Sequence, residues 1–130
     1  MSTPVSLSFD DPRVLNTLVH ATDIELDALE FGVIGFDAEG VVRTYNTCES
    51  NSAGLSVDRI KGQSMFTVVA PCMNNYLVSQ RFDDAATSGG ALDATIDYVL
   101  TLRMRPVKVK LRLLAEPGAA MRFVLVLRRS

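Results

Sequence analysis

The stretch FGVIGFDAEGVVRTY, residues 31–45, contains two apolar runs on either side of a polar segment. That segment, Asp37-Ala38-Glu39-Gly40, combines acidic residues with a glycine, which is typical of a chain reversal. Apolar runs flanking such a turn predict a β-hairpin. The sequence therefore predicts two adjacent antiparallel strands here.

Two helical segments are predicted before the hairpin. Residues 10–20, DDPRVLNTLVH, have a cap-like aspartate and a proline at an early helical position. Their apolar residues share one helical face: Val14, Leu15, Leu18 and Val19. A further turn or two is indicated by a second apolar set: Ile24, Leu26 and Leu29. We therefore expect an N-terminal helical cap over residues 1–29.

The sequence after the hairpin passes from short polar segments to longer runs. Residues 46–62 predict loops and single helical turns, and residues 64–71 are apolar. Residues 75–88, closed by two glycines, predict a helix with an apolar stripe of Tyr76, Leu77, Phe82 and Ala86. Three strand-like runs follow: 92–103, 106–115 and 121–128. The order predicts an α+β fold with a five-stranded antiparallel sheet and helices in the middle, which is a PAS-type arrangement.

Length and composition limit the classes of protein that this chain can represent. With 130 residues, of which 48% are hydrophobic and 22% charged, the chain predicts one globular domain, with a PAS core over residues 30–130. No apolar run reaches the length of a membrane span, and the N-terminus lacks the pattern of a signal peptide. A cytoplasmic protein without membrane contact is expected.

The C-terminal segment is strongly basic although the whole chain has a net charge of -2. Residues 101–130 carry eight basic residues and one acidic residue, Glu116. In VKVKLRLL the apolar Val107, Val109, Leu111 and Leu113 alternate with Lys108, Lys110 and Arg112, which predicts a half-buried strand. The charged face is expected to be solvated or covered by the acidic N-terminal part. Nucleic-acid binding is disfavoured because no aromatic residues interleave with these charges.

The cysteines and the single histidine form no recognisable metal or disulfide pattern. Cys48 and Cys72 are too few for a disulfide scaffold, and neither has His or Cys ligands at zinc spacing. His20 lies in a helical pattern far along the chain from both cysteines, and we expect it to be a surface or partly packed helix residue. Cys48 is expected to be a small core residue.

Two short strings give the sequence its most specific chemistry. In TYNTCESNS, residues 44–52, Tyr45 and Glu49 lie four residues apart, and VAPC ends at Cys72. Further supporting strings are LDALEFGVIGFDAEGVVRTYN, IKGQSMFTVVAPC, MRPVKVKL and a C-terminal FVLVLRR, and the resemblance that they carry runs over nearly the whole chain, from about Val14 to Arg128. In these features the sequence resembles the photoactive yellow protein family, the bacterial blue-light receptors of the PAS superfamily.

The resemblance implies a covalent chromophore. In this family a cysteine carries p-coumaric acid (4-hydroxycinnamic acid) as a thioester, and Cys72 is the matching residue. The chromophore's phenolate is held by a tyrosine and a protonated glutamic acid, which match Tyr45 and Glu49. A buried phenolate needs such donors, because an unpaired charge in an apolar pocket is very costly and hydrogen bonds to an ionised oxygen are strong.

The resemblance also implies a light-driven cycle. Light isomerises the chromophore from trans to cis, Glu49 gives its proton to the phenolate, and Glu49 is left as a buried anion. That cost is comparable to the stability of a small domain, so a partly unfolded signalling state is expected, with the N-terminal helical segment loosening. The signal would pass to another protein, because the sequence contains no recognisable output domain.

Several further positions are expected in the pocket. By position they are Ile34, Met65, Val69, Ala70, Met73, Tyr98 and Leu100, and Met104 matches a methionine associated with re-isomerisation. Ala53 and Leu55 stand where the family has a threonine that supports the tyrosine and an arginine that shields the phenolic ring. We therefore expect an altered colour and photocycle rate.

Two other readings remain open. The chain could be a PAS-type sensor or interaction module that binds another small ligand or none. It could also be a cysteine-dependent enzyme using Cys72, although no recognisable motif pairs a base with that thiol. The photoreceptor reading is not enzymatic.

Overall fold

The computed structural model describes residues 8–54, 56–101 and 106–128. In chain order the helices are α1 (Val14–His20), α2 (Asp23–Asp27), α3 (Thr47–Ala53), α4 (Val57–Ile60) and α5 (Ser79–Ser88). The strands are β1 (Gly32–Asp37), β2 (Val42–Tyr45), β3 (Leu92–Leu100), β4 (Val107–Ala115) and β5 (Met121–Arg128). A π-helical turn (Met65–Val69) and a 3₁₀ turn (Pro71–Met73) lie between α4 and α5.

The strands of the described residues form one antiparallel sheet in the order β2-β1-β5-β4-β3. The predicted hairpin is confirmed, and Gly40 has a φ of 80°, a conformation that glycine adopts without strain. The α+β prediction with five antiparallel strands is also confirmed. β1 pairs with both β2 and β5, so residues of the hairpin and of the C-terminal strand come side by side at the centre.

The sheet has an apolar cluster on each face. The pocket face, as we call the first, is covered by the segments between β2 and β3, and its cluster includes Ile34, Tyr45, Met65 and Val126. The cap face, opposite, is covered by the N-terminal residues, and its cluster includes Phe9, Val14, Val33 and Leu125. Alternation along β1 and β5 explains why neighbouring residues belong to different clusters. The division of the chain into a cap over 1–29 and a core over 30–130 stays a prediction.

The helices differ from the predictions in detail. Pro12 precedes α1, and Val19 and Ile24 are exposed although both were expected on apolar faces. Of the predicted stripe on α5, only Phe82 is buried. Tyr76 and Leu77 precede the helix, which begins at Ser79, and Ala86 is exposed although it lies within the helix. The polar segment after β2 contains a predicted single helical turn in α4, whereas α3 is a two-turn helix.

The charged face of β4 is only partly solvated. Arg112 is 5% exposed and donates hydrogen bonds to the carbonyl oxygens of Phe9 (2.8 Å) and Asp11 (2.7 Å). Its guanidinium also binds both carboxylate oxygens of Asp93, at 2.9 and 2.8 Å. The expectation of cover by the acidic N-terminal part is thus met at Arg112, where the cover consists of the Asp93 carboxylate and two backbone carbonyl oxygens. Val107, expected inside, is exposed.

Candidate functional site: a buried carboxylate beside a tyrosine

The most unusual group on the pocket face is the carboxylate of Glu49. Glu49 is 1% exposed, and Arg128 from the end of β5 donates to its Oε1 at 2.6 Å and to its Oε2 at 3.0 Å. The side chain of Arg128 is 20% exposed, so its outer part is in contact with solvent. A bidentate arginine–carboxylate pair is strong and fixes the relative orientation of the guanidinium and carboxylate planes. The structure therefore gives Glu49 a cationic partner that sequence reasoning did not identify.

Asn46 fixes the start of α3 and hence the position of Glu49. Its Oδ1 accepts from the backbone N–H groups of Val33 (2.9 Å) and Glu49 (3.1 Å). Its Nδ2 donates to the carbonyl oxygens of Leu26 (2.9 Å) and Phe31 (3.0 Å). Asn46 is therefore both the N-cap of α3 and the link between that helix, β1 and the end of α2.

Gly32 on β1 provides the space for the Glu49 side chain. A Cβ atom at position 32 would lie 2.1 Å from Oε1 and 3.1 Å from Cβ of Glu49. Such distances exclude any side chain unless the glutamate moves. The absence of a side chain on this glycine thus allows Glu49 to lie flat against the sheet.

Tyr45 and Cys48 surround the same carboxylate. Burial, reinforced by the negative charge of Glu49, raises the pKa of the Tyr45 hydroxyl far above its ordinary value, although Arg128 opposes the shift. Tyr45 therefore stays protonated and can act as a hydrogen-bond donor. Burial and Glu49 likewise raise the pKa of the Cys48 thiol. Cys48 is half-buried, and both cysteines are free.

The predicted anchor, Cys72, lies in the 3₁₀ turn on the same side of the sheet. Its side chain is half-buried and packs against the cluster that contains Tyr45. Its carbonyl oxygen accepts from the hydroxyl of Tyr98 and from Nδ2 of Asn75 (3.1 Å). Asn75 Nδ2 also donates to the Tyr98 hydroxyl at 2.6 Å. These bonds hold the turn in place while leaving the Cys72 sulfur free.

Most of the other residues predicted to line the pocket belong to the pocket-face cluster, and their contact with a chromophore stays a prediction. Buried members of the pocket-face cluster are Ile34, Met65, Val69, Ala70, Met73 and Leu100, and Tyr98 packs against them. Ala53 is buried on α3. Leu55 and Met104 lie outside the described residues. Tyr98 and Cys72 also line an open cleft of about 900 Å³ with Asp97, Lys108 and Lys110.

Four residues of this site were missed from the sequence: Gly32, Asn46, Asn75 and Arg128. Alternation along the last strand could have identified Arg128, since it shares its face with Val124 and Val126 of the pocket cluster. The position of Asn46 before a helix could have indicated a cap. Nothing in the sequence shows that Asn75 reaches Tyr98, which is 23 residues away.

Similarity to known proteins decides the family. A photoactive yellow protein of Halochromatium salexigens is 32% identical over 105 residues, which cover 81% of this chain and 83% of that protein. The chain belongs to the photoactive yellow protein family. A second relative of that name, from Rhodothalassium salexigens, is 30% identical over 82% of this chain and 85% of its own length. No family model matches the sequence.

Solved structures agree with this assignment. The photoactive yellow protein domain of the sensor histidine kinase Ppr from Rhodospirillum centenum superposes with a TM-score of 0.79 and 37% identity, over 88% of this chain and 98% of that one. Solved PAS domains at 11% and 12% identity reach TM-scores of 0.62 and 0.58, which shows the fold alone. The chain is thus a PAS-type photoreceptor of this family. No helix among its described residues is long and apolar enough to cross a membrane.

Proposed function

We propose that the chain is a blue-light photoreceptor that carries p-coumaric acid as a thioester on Cys72. The observation that carries the proposal is the buried Tyr45–Glu49 pair, which lies on the same face of the sheet as the half-buried Cys72. A hydroxyl that stays protonated and a buried carboxyl group are suited to hold a phenolate. The apolar residues of the pocket-face cluster would contact the rest of the chromophore.

Attachment requires only ordinary acyl chemistry at Cys72. The sulfur replaces the leaving group of an activated p-coumaroyl ester, forming the C–S bond, and the thiol proton leaves with that group. Tyr98 and Asn75 hold the backbone of the turn through the Cys72 carbonyl during this exchange. When bound, the chromophore supplies light absorption and a trans-to-cis isomerisation.

The residues of the chain then perform the proton chemistry. Tyr45 donates a hydrogen bond to the phenolate oxygen throughout the dark state. Glu49, protonated in that state, would donate a second hydrogen bond and would give its proton to the phenolate oxygen after illumination. Burial and the neighbouring negative charge favour the protonated acid in the dark, because both disfavour a second anion in the pocket.

Partial unfolding is proposed as the signal, with the N-terminal cap as the part that loosens. Its residues contact the sheet through the cap-face cluster and the bonds of Arg112 to Phe9 and Asp11. The partner is proposed to be a separate signalling protein in the cytoplasm. A domain of this family occurs in a sensor histidine kinase, which supports a role in signalling. We propose no enzymatic activity for the chain itself.

Reconstitution with activated p-coumarate tests the proposal. We expect a yellow product with the mass gain of one p-coumaroyl group, and we expect Cys72→Ala to abolish both. Cys48→Ala is the matched control and should retain colour and adduct. A colourless wild-type protein without an adduct would reject the proposal and favour a sensor of another ligand, for which the open cleft beside Tyr98 is the candidate site.

The role of Glu49 has its own test. Glu49→Gln keeps a hydrogen-bond donor but removes the transferable proton, so we expect a coloured protein with a changed photocycle. An unchanged photocycle would reject Glu49 as the proton donor. The altered colour expected from Ala53, which stands where the family has a threonine, stays a prediction. Ala53→Thr tests it through a shift of the absorption maximum.

A further inference from the structure

We infer that Arg128 is the counter-ion that sets the ionisation of Glu49 in the chromophore site. The effect of Arg128 on proton release after illumination rests on the proposed function. Its effect on the ionisation of Glu49 without chromophore rests on the geometry alone. The two guanidinium nitrogens lie 2.6 and 3.0 Å from the two carboxylate oxygens. Such an arrangement uses both lone-pair directions of an ionised carboxylate, which a protonated acid cannot offer.

The surroundings of Glu49 leave Arg128 as its cationic partner within the described part of the chain. The titratable groups that couple to it are Tyr45 on β2, Cys48 on its own helix and Arg128 on β5. Asp27 at the end of α2 binds the backbone N–H of Thr47, at the start of α3. Tyr45 and Cys48 are neutral, because burial and Glu49 raise the pKa of both. Glu49 and Arg128 thus carry the charges of this group.

A count of charges shows what Arg128 contributes in each state. With a phenolate in the pocket and Glu49 protonated, Arg128 supplies the one positive charge that balances the site. Once Glu49 has given up its proton, the same guanidinium balances the carboxylate. The site is electrically neutral before and after the transfer, whereas without Arg128 it would hold an uncompensated buried negative charge in both states.

This assignment modifies one expectation drawn from the sequence. The ionised Glu49 was expected to be a poorly solvated anion whose cost drives unfolding. Arg128 lowers that cost, so it favours proton release by Glu49 and reduces the strain that this release creates. Arg128 is accordingly a positioning residue, because it acts on the chromophore through Glu49.

The first test uses the protein without chromophore and reads the infrared C=O band of protonated Glu49, identified in each Arg128 variant by its loss when Glu49→Gln is added to that variant. At neutral pH we expect little of this band in the wild type. In Arg128→Gln the ratio of protonated to ionised Glu49 should rise by about tenfold or more, the usual effect of removing an adjacent guanidinium. Arg122→Gln, on the same face of β5 but near its other end, is the control and should match the wild type.

Arg128→Lys keeps the charge but loses the two-pronged contact, so its ratio should lie between those of the wild type and Arg128→Gln. If circular dichroism shows that Arg128→Gln does not fold, Arg128→Lys still allows the ratio of protonated to ionised Glu49 to be compared with the wild type. Equal bands in the wild type, Arg128→Lys and any folded Arg128→Gln would overturn the inference.

The second test uses the reconstituted protein and measures how much of the Glu49 band is lost on illumination. We expect a several-fold smaller loss in Arg128→Gln, because the ionised product has lost its cation. An equal loss in Arg128→Gln and Arg122→Gln would overturn the light-driven part of the inference. Failure of the wild type to take up chromophore would instead reject the proposed function, and the first test would still decide whether Arg128 sets the ionisation of Glu49.

Discussion

Two arginines of the sheet bind carboxylates on opposite faces, and their partners differ in one important respect. Arg112, on the cap face, binds Asp93, whose side chain is 52% exposed, together with two backbone carbonyl oxygens. Arg128, on the pocket face, binds Glu49, whose side chain is 2% exposed. Water can solvate Asp93 if its arginine is lost, but it cannot easily reach Glu49. The first pair is therefore suited to a permanent attachment, and the second is suited to a change of protonation.

The hydrogen bonds made by each arginine support this distinction. Arg112 is tied to the N-terminal residues 9 and 11, and its pKa is raised mainly by the hydrogen bond to Asp93. The pKa of Arg128 is also raised, because the hydrogen bond and charge of Glu49 outweigh the opposing effect of burial. Both arginines thus stay charged.

The largest expected effect comes from Asn46→Ala, because Asn46 contacts elements of both faces. The substitution removes a helix N-cap and the side-chain partner of the Val33 N–H and the Phe31 carbonyl, while the Leu26 carbonyl keeps only its backbone donor Leu29. We expect a loss of about 2–4 kcal/mol in the free energy of unfolding, measured by urea denaturation. Asn51→Ala, an exposed position on α3, is the control. Similar losses in both variants would contradict the role assigned to Asn46.

The second effect is expected from Arg112→Met, which keeps the apolar stem but removes the side-chain donor to the carbonyl oxygens of Phe9 and Asp11; the Asp11 carbonyl keeps the Val14 N–H as a donor at 3.1 Å. Since Asp93 remains solvated, we expect a loss of about 1–3 kcal/mol in stability. Limited proteolysis should show faster cleavage within residues 8–29. The infrared band of Glu49 should not change, and a change there would show that the two faces are coupled.

A smaller effect is expected for the pH dependence of the Asp93–Arg112 pair. The hydrogen bond from Arg112 lowers the pKa of Asp93 below its ordinary value of 3.8, against the effect of burial. A lowered pKa contributes stability that is present above the ordinary value and is lost as the pH falls through the folded value. Asp93→Asn should therefore cost about 0.5–1 kcal/mol at neutral pH, after allowance for solvent screening, and progressively less in acid. A cost that does not vary with pH would contradict the pairing.

The fold could be predicted because the strand patterns are local. The hairpin at Asp37-Ala38-Glu39-Gly40 and the last three strands follow from alternation and turn residues, with no knowledge of their neighbours. The stripe on α5 failed because a helical period was extended over Tyr76 and Leu77, which precede the helix. The pairing of Glu49 with Arg128 spans 79 residues and depends on the order in which β1 and β5 lie side by side. That order is a property of the whole sheet, and short strings of sequence do not contain it.

The smallest effect is expected from Lys110→Gln, which tests whether burial and not charge alone distinguishes Arg112. Lys110 lies on the same face of β4 and faces Asp97 across the β3–β4 ladder, with Nζ 3.7 Å from Oδ1. Asp97 is 89% exposed, so solvent already screens the pair. We expect a change of less than about 0.5 kcal/mol in the free energy of unfolding, which urea denaturation can separate from the loss in Arg112→Met. Equal losses at both positions would show that the N-terminal carbonyl contacts of Arg112 add nothing to the stability of the cap.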